Sequence, residues 1–346
     1  MHLYRPILLN LCLLAPVSVP QLVIANAPVA RYTSVSDDDG GSARALYRKG
    51  LRMQRSGRLD EAQQYFEGAI KINTHFADAY LALAGVYRLQ QQPEPARRQL
   101  QTVLQLQPSH GGALAALAAL HYEQRSWEDA LACAFRAQEL GERQMNRLIG
   151  LSYAHLDHPA EAAQALERAR EEERLEGEDL CSMARLYAQL EQYEKSVQCY
   201  EESLKAGGNP PAVYYELGMM HFNMKNYKHA AGAFEKAARL GRPADADLYL
   251  NLGMAHLKQA AYGEAIANLQ TALSLRPKDI QVMLNLANAC YKQQDFQQAA
   301  TLWNKILMLQ PQNAFAMFML GKSYMGCGEL VKGQAICDQA LAMGVK

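Results

Sequence analysis

The chain has 346 residues, of which 49% are hydrophobic and 20% are charged, a balance typical of folded rather than disordered proteins. Lysine plus arginine and aspartate plus glutamate both number 35, so the formal net charge is zero. Proteins that bind a nucleic-acid duplex normally carry a strong positive excess, so this composition argues against nucleic acid as a partner.

The first 27 residues have the pattern of an export signal. His2 and Arg5 give a weakly positive start, residues 7–14 are apolar apart from one asparagine, and an Ala-Asn-Ala cleavage pattern stands at residues 25–27. Two prolines interrupt the apolar stretch, which argues against a stable membrane-spanning helix. The pattern predicts a cleaved signal and an exported, periplasmic or envelope-associated protein. Retention as an uncleaved membrane anchor, and a cytoplasmic chain with an apolar start, are the alternatives.

Residues 28–42 predict a flexible linker between this segment and the folded part. They contain three consecutive aspartates at residues 37–39, followed by Gly40, Gly41 and Ser42. Such a composition has little apolar surface to bury, and it is typical of tethers.

The rest of the chain is built from a repeat of about 34 residues. A small residue follows an apolar one at nearly constant intervals of 32 to 35 residues. The nine members of this first small position are Gly50, Ala84, Ala118, Gly150, Ala184, Gly218, Gly253, Ala287 and Gly321. Nine copies in phase are strong evidence for a repeat architecture.

Two further positions recur inside each repeat. A second small residue follows the first after twelve residues: Ala62, Ala96, Ala130, Ala162, Ser196, Ala230, Ala265, Ala299 and Gly333. Four residues later stands a large apolar residue in seven repeats: Phe66, Leu100, Leu166, Tyr200, Phe234, Leu269 and Trp303. Ala134 and Cys337 are the smaller exceptions. Small residues at matched positions allow two helices to approach closely, and the large residue fills the space beside that contact.

This pattern resembles the tetratricopeptide repeat family over residues 43–346. The resemblance implies an all-α fold, a right-handed superhelical solenoid of nine helix hairpins in which each hairpin packs on its neighbours. The predicted units are 43–76, 77–110, 111–142, 143–176, 177–210, 211–245, 246–279, 280–313 and 314–346. Prolines 93 and 159 suit the first turn of second helices, and prolines 108, 277 and 311 close three units.

The sequence carries no recognisable catalytic chemistry. It lacks a glycine-rich phosphate loop and the common hydrolase and metalloprotease motifs. His155 and His158 beside Asp157 suggest a metal site, but exposed turn residues are the simpler interpretation. We therefore predict a protein that is not an enzyme, with no cofactor, no metal and no small-molecule substrate.

Six cysteines follow the predicted signal, and none forms a C-x-x-C motif. Most stand at packing positions, where cysteine acts as a small apolar residue. Cys181 and Cys199 occupy opposed positions in the fifth unit, so an oxidising compartment would allow a disulfide between them. Buried thiols are the alternative.

The family resemblance also implies a binding surface. In the family, the concave wall is formed by certain positions of each first helix, and in the last four units these positions carry methionine, aromatic, asparagine and lysine residues. Asparagine amides can bond the backbone of an extended peptide whatever its sequence, and methionine and aromatic side chains make an adaptable apolar wall. We call these fifteen residues the predicted peptide groove: Tyr215, Met219, Phe222, Asn223, Asn251, Met254, Lys258, Asn285, Asn288, Tyr291, Lys292, Phe315, Phe318, Met319 and Lys322. Packing between neighbouring helices is the competing explanation, particularly for Met254.

One subtype of the family grips a C-terminal carboxylate with a clamp that begins with lysine at the fifth position of a unit. No unit of this chain has lysine there, and Arg147, which is basic, is followed by Leu151 where the clamp needs asparagine. The sequence therefore predicts that this clamp is absent. The ninth unit has no following unit in the sequence, so exposure of Ile336 and Leu341 is expected, and with it self-association through the uncapped repeat or capping by a partner.

Together these features predict a non-catalytic protein–protein interaction scaffold. It would be exported, bind an extended peptide or a partner protein, and help to assemble envelope or secretion components. A cytosolic regulator or co-chaperone, and the recognition subunit of an enzyme complex such as a glycosyltransferase partner, are the alternatives.

Overall fold

The computed structural model describes residues 42–344, so the predicted signal peptide and most of the predicted linker lie outside the described residues. Within that range the chain forms eighteen α-helices, and the predicted all-α fold is confirmed. The helices fall into two compact units, divided between Glu191 and Gln192. A continuous right-handed superhelix across the division stays a prediction.

The N-terminal unit contains nine helices that pack in sequence order as hairpins. First helices also contact the first helix of the next hairpin, as in α5 and α7. The helices are α1 (Ala43–Arg55), α2 (Leu59–Ile72), α3 (Ala77–Leu89), α4 (Pro93–Leu106), α5 (Gly111–Glu123), α6 (Trp127–Glu139), α7 (Asn146–His155), α8 (Pro159–Glu172) and α9 (Gly177–Gln189).

The C-terminal unit repeats this arrangement. Its helices are α10 (Tyr193–Lys205), α11 (Pro210–Asn223), α12 (Tyr227–Arg239), α13 (Ala246–Lys258), α14 (Tyr262–Leu275), α15 (Ile280–Lys292), α16 (Phe296–Leu309), α17 (Ala314–Gly326) and α18 (Leu330–Ala342). Here α11, α13, α15 and α17 are the first helices of hairpins, and α13 contacts α15 directly.

The repeat positions pack as the sequence predicts. The first small position of the sixth hairpin, Gly218, faces Phe234, which is fully buried. A methyl group added to Gly218 would lie only 2.5 Å from a ring carbon of Phe234. Gly253 stands in the same relation to Leu269, also at 2.5 Å. A larger residue at either position would therefore push the two helices of the hairpin apart.

The prolines mark helix boundaries as predicted. Pro93 and Pro159 are the first residues of α4 and α8, where the missing N–H has no partner to lose. Pro108, Pro277 and Pro311 each lie two residues beyond the end of a second helix.

The turn inside each hairpin contains a residue with a left-handed backbone conformation, which the sequence pattern did not predict. The residue two positions after each first helix has a positive φ, at Gly57, Gln91, Arg125, Asp157, Glu191, Lys225, Ala260, Gln294 and Gly328. After α15, the N–H of Asp295 donates to the carbonyl oxygen of Cys290 at 2.9 Å. The N–H of Gln294 donates to the carbonyl oxygen of Tyr291 at 3.1 Å. These two bonds define a Schellman motif, whose left-handed residue is usually glycine. Only two of the nine turns use glycine, so the other seven residues adopt a conformation that costs energy.

Two of the cysteines and two apolar residues of the last helix differ in how far they are buried. Cys181 and Cys199 are both buried, as either alternative requires. The expected exposure of Ile336 is wrong, because this residue of α18 is half-buried and packs against the apolar core of the C-terminal unit. Leu341 is about half exposed.

Candidate functional site

The predicted peptide groove divides into residues that are built into the fold and residues that face solvent. Asn251 on α13 belongs to the first group, since only 6% of it is exposed. Its Nδ2 donates to the hydroxyl of Tyr215 on α11 at 2.8 Å. The guanidinium of Arg242 lies 3.4 Å from the centre of the Tyr215 ring. Burial raises the pKa of Tyr215 to about 12, so this hydroxyl remains protonated at neutral pH.

Asn285 on α15 occupies the corresponding position one hairpin later and is also buried, with 4% exposed. Its Nδ2 donates to the carbonyl oxygen of Gln281 in its own helix at 2.8 Å. The amides of Asn251 and Asn285 thus already donate hydrogen bonds within the chain. A role of these two residues in peptide binding stays a prediction.

Two aromatic residues of the groove hold hairpins together. Tyr291, near the end of α15, packs edge-to-face on Phe296 at the start of α16, with ring centroids 5.3 Å apart. Phe222 and Tyr227 repeat this contact between α11 and α12 at 5.3 Å. Edge-to-face aromatic pairs are favourable beyond the area they bury. Both contacts span the turn of a hairpin, so these rings stabilise the scaffold.

Met219 and Met254 are buried, and Met319 packs against the apolar core of the C-terminal unit. Asn223 is half-buried, and its Nδ2 has no hydrogen-bond partner in the described part of the chain. The packing explanation therefore accounts for the methionines at least in part.

The remaining residues of the groove lie at or near the surface. Lys258, Lys292 and Lys322 are exposed, and Asn288 is half-buried. The ammonium of Lys322 lies 5.7 Å from the centre of the Phe318 ring, one turn earlier on α17. Phe315, at the start of the same helix, is 38% exposed and packs edge-to-face on Trp303.

Three of these residues meet in one cavity of the C-terminal unit. A cavity of about 300 Å³ lies between α13, α14 and α15 and is lined by Leu257, Lys258, Ala260, Tyr262, Asn288 and Lys292. The sequence pattern identified Lys258, Asn288 and Lys292. It missed Leu257, Ala260 and Tyr262, which come from the end of α13, the turn and the start of α14. An aromatic residue at the start of a second helix, as in Trp127, Tyr227 and Phe296, was the available signal for Tyr262.

His155 and His158, the two histidines considered as a metal site, differ in their surroundings. The ring of His155 stacks on Trp127 with centroids 4.0 Å apart, and its Nε2 lies 3.3 Å from the hydroxyl of Tyr122. Burial, together with the nearby charge of Arg125, lowers the pKa of His155. His158 is exposed. The expectation of exposed turn residues therefore holds for His158 and is wrong for His155, which packs against the preceding hairpin.

Arg147, at the fifth position of its unit, is also committed to the fold. Its Nε donates to Oδ2 of Asp179 on α9 at 2.9 Å, and both side chains are largely buried.

Two features are absent from residues 42–344, the range that the structure describes. No three His, Cys, Asp or Glu side chains there cluster as metal ligands would. No helix in this range has the length and apolar character needed to cross a bilayer.

Comparison with curated proteins finds peroxisomal targeting signal receptors of yeasts. The receptor of Candida albicans is 27% identical over 260 residues, and that of Kluyveromyces lactis is 22% identical over 229 residues. The matches cover 66% and 65% of this chain, but only 40% of each receptor. The chain thus spans well under half the length of these relatives.

Solved structures show the same fold. A tetratricopeptide repeat protein from Cytophaga hutchinsonii aligns with a TM-score of 0.54 at 17% identity, covering 66% of this chain and 94% of its own. PilF of Pseudomonas aeruginosa aligns with a TM-score of 0.51 at 22% identity, covering 61% of this chain and 95% of its own.

Two family models described as tetratricopeptide repeat match the sequence directly. One matches residues 54–105 and 256–319, and the other matches residues 181–245 and 223–280, which together cover more than half of the chain. The paired helices, the packing of small against large repeat positions and these matches agree: the chain belongs to the tetratricopeptide repeat family, whose members are typically non-catalytic protein- and peptide-binding scaffolds.

Proposed function

We propose that this protein is a non-catalytic scaffold that holds an extended peptide segment of a partner against the first helices of its C-terminal unit. The observation that carries the proposal is the cavity between α13, α14 and α15, where Lys258, Asn288 and Lys292 converge. These residues are exposed or half-buried, whereas Asn251, Asn285, Met219 and Met254 are buried. The binding surface therefore centres on α13 and α15 near their C-terminal ends.

The relatives support a peptide as the ligand. They are named receptors of a peroxisomal targeting signal, and a receptor for a signal that proteins share must recognise a short segment of chain. The length of chain shared with them, 65% or more of this protein, includes most of the repeats. Their name also favours a second candidate, a receptor that selects many cargo proteins by one short signal. A scaffold would instead hold a fixed set of partners.

Binding can be tested on the purified chain with an array of twelve-residue peptides of random sequence. We expect a subset to bind wild type and to lose most of its binding to a Lys258→Ala, Asn288→Ala, Lys292→Ala variant. A Lys228→Ala, Lys305→Ala variant is the control, because both lysines are exposed on second helices, away from the cavity. Circular dichroism checks that each variant remains folded. If the cavity variant binds the same peptides with unchanged strength, the site is wrong.

Export is a separate part of the proposal, and it rests on the signal pattern of residues 1–27. The protein would be tagged at its C-terminus in its native cell, fractionated, and its N-terminus sequenced. Export predicts a mature N-terminus near residue 28 and recovery from the envelope or the exported fraction. A full-length chain recovered only from the cytosol would contradict export and favour the cytosolic regulator. Cross-linking in the same cells would then separate a fixed set of partners from a broad set that shares a signal.

A further inference from the structure

The residues that line the cavity of the C-terminal unit include positively charged side chains and no negatively charged ones. Two of its lining residues are lysines, one is an asparagine and one is a tyrosine, while Leu257 and Ala260 supply an apolar wall. None of these lining residues is acidic. The cavity thus presents hydrogen-bond donors and positive charge next to a short apolar surface.

The lysines owe their positions to the repeat. Lys258 and Lys292 are the last residues of α13 and α15 and lie 34 residues apart, so they hold equivalent positions in successive hairpins. The equivalent residue is Asn223 in the preceding first helix and Gly326 in the following one. Within the described residues, the last position of a first helix is lysine only in these two hairpins.

Asn288 completes the donor set. It lies four residues before Lys292, on the same face of α15. A lysine ammonium offers three donors and an asparagine amide offers two, whereas an ionised carboxylate offers only acceptors. A carboxylate in this cavity would be attracted by the charge of both lysines and could accept hydrogen bonds from them and from the amide.

We propose that this cavity is a subsite for a carboxylate of the bound peptide, contacted by Lys258, Lys292 and the amide of Asn288. The apolar wall of Leu257 and Ala260 accommodates the methylene groups that carry the carboxylate. This inference rests on the proposed function, since it names the chemistry of the peptide that the same surface binds. It differs from the known clamp because the fifth positions of α13 and α15 are Leu250 and Leu284, which pack against the core.

The carboxylate has two sources, an acidic side chain or the C-terminus of the peptide. Three matched sets of random dodecapeptides distinguish them. The first contains one glutamate and has an amidated C-terminus, the second has glutamine in its place and a free C-terminus, and the third has glutamine and an amidated C-terminus. Binding of each set is measured for wild type and for a Lys258→Met, Lys292→Met variant, which keeps much of the apolar stem of each side chain. The control is Lys228→Met, Lys305→Met, which changes the net charge equally.

We expect wild type to bind at least one carboxylate-bearing set about tenfold or more tightly than the third set, as charge-assisted hydrogen bonds require. The cavity variant should lose this preference, and the control variant should keep it. Preference for the first set identifies a side chain, and preference for the second identifies the C-terminus. If all three sets bind wild type equally, the carboxylate subsite is overturned while peptide binding stands. If the cavity variant keeps the preference, the carboxylate lies elsewhere and the subsite is also overturned.

A small probe tests the subsite even if no peptide set binds, an outcome that would overturn the proposed function. N-acetyl-L-glutamate α-amide is titrated into the labelled protein, and the side-chain amide signals of Asn288 are followed by nuclear magnetic resonance, assigned by their loss in Asn288→Asp. We expect these signals to shift with the glutamate compound, and not with the corresponding glutamine compound or in the cavity variant. No shift with either compound overturns the subsite.

Discussion

Asn251 and Tyr215 stand 36 residues apart in sequence, and the amide of one donates to the hydroxyl of the other at 2.8 Å. Because Asn251 is buried, replacing its acceptor leaves a donor without water or partner. We expect Tyr215→Phe to lower the free energy of unfolding by about 1–3 kcal/mol, the usual cost of an unsatisfied buried group. Urea denaturation followed by circular dichroism measures this change.

A double variant separates this cost from loss of packing. Adding Asn251→Leu to Tyr215→Phe removes both polar partners, so it should recover a substantial part of the lost stability. Tyr214→Phe is the control on the neighbouring residue and should change stability by no more than about 0.5 kcal/mol. A double variant that is less stable than Tyr215→Phe alone would mean that the hydrogen bond is not what Tyr215 contributes.

The close approach of α11 and α12 at Gly218 gives a second prediction. Gly218→Leu should destabilise the protein by about 1–3 kcal/mol, because the new side chain overlaps the buried ring of Phe234. Gly232→Ala on α12 is the matched control, since no atom lies within 4 Å of its added methyl group. It should stabilise the protein by about 0.5–1 kcal/mol, as helix propensity predicts. Equal effects of the two substitutions would show that the repeat register is wrong.

The left-handed turns give a third prediction. Gln294 has a φ of 70°, and Gly328 occupies the same turn position in the next hairpin with a φ of 90°. Gln294→Gly should stabilise the protein by about 1 kcal/mol, because glycine adopts this conformation without steric cost. Gly328→Ala should destabilise it by a similar amount. Thermal unfolding of both variants measures the difference, and two shifts of the same sign would contradict the assignment of these turns.

The contact of His155 with Trp127 predicts a pH dependence in the N-terminal unit. Burial lowers the pKa of His155 below its ordinary value of 6.5, so the folded state binds the proton less readily than the unfolded state. The resulting stability is fully present above pH 6.5 and is lost as the pH falls through the lowered pKa. Wild type should therefore lose more stability between pH 7.5 and pH 5 than a His155→Phe variant, which keeps an aromatic ring but does not titrate.

Urea denaturation at these two pH values measures the effect. His158→Gln serves as the control, because this histidine is exposed at the start of the next helix. We expect His155→Phe to reduce the pH dependence more than His158→Gln does. An identical pH dependence in wild type and His155→Phe would mean that the buried ring does not set it.

For some of the predicted groove residues, the position along their own helix is enough to explain their exposure. Lys258 and Lys292 fall on the last residue of a first helix, and that position is exposed in both hairpins. The sequence pattern could not distinguish the environment of Asn288, which lines the cavity, from that of Asn285, which lies three residues earlier and is buried. Both are asparagines on the same helix, and only the neighbouring helices decide which one reaches solvent.

The sequence by itself determined the all-α repeat, the presence of nine copies in phase, and the contact between the small residue of each first helix and the large apolar residue of the second helix. These follow from spacings within about 34 residues, and such spacings fix which faces of two adjacent helices can touch. The tertiary structure alone decided that Asn251 is bonded to Tyr215, that Tyr291 holds Phe296, and that Tyr262 joins Lys258, Asn288 and Lys292 around one cavity. The physical reason is that burial and hydrogen bonding depend on side chains from neighbouring helices, whose approach no local pattern specifies.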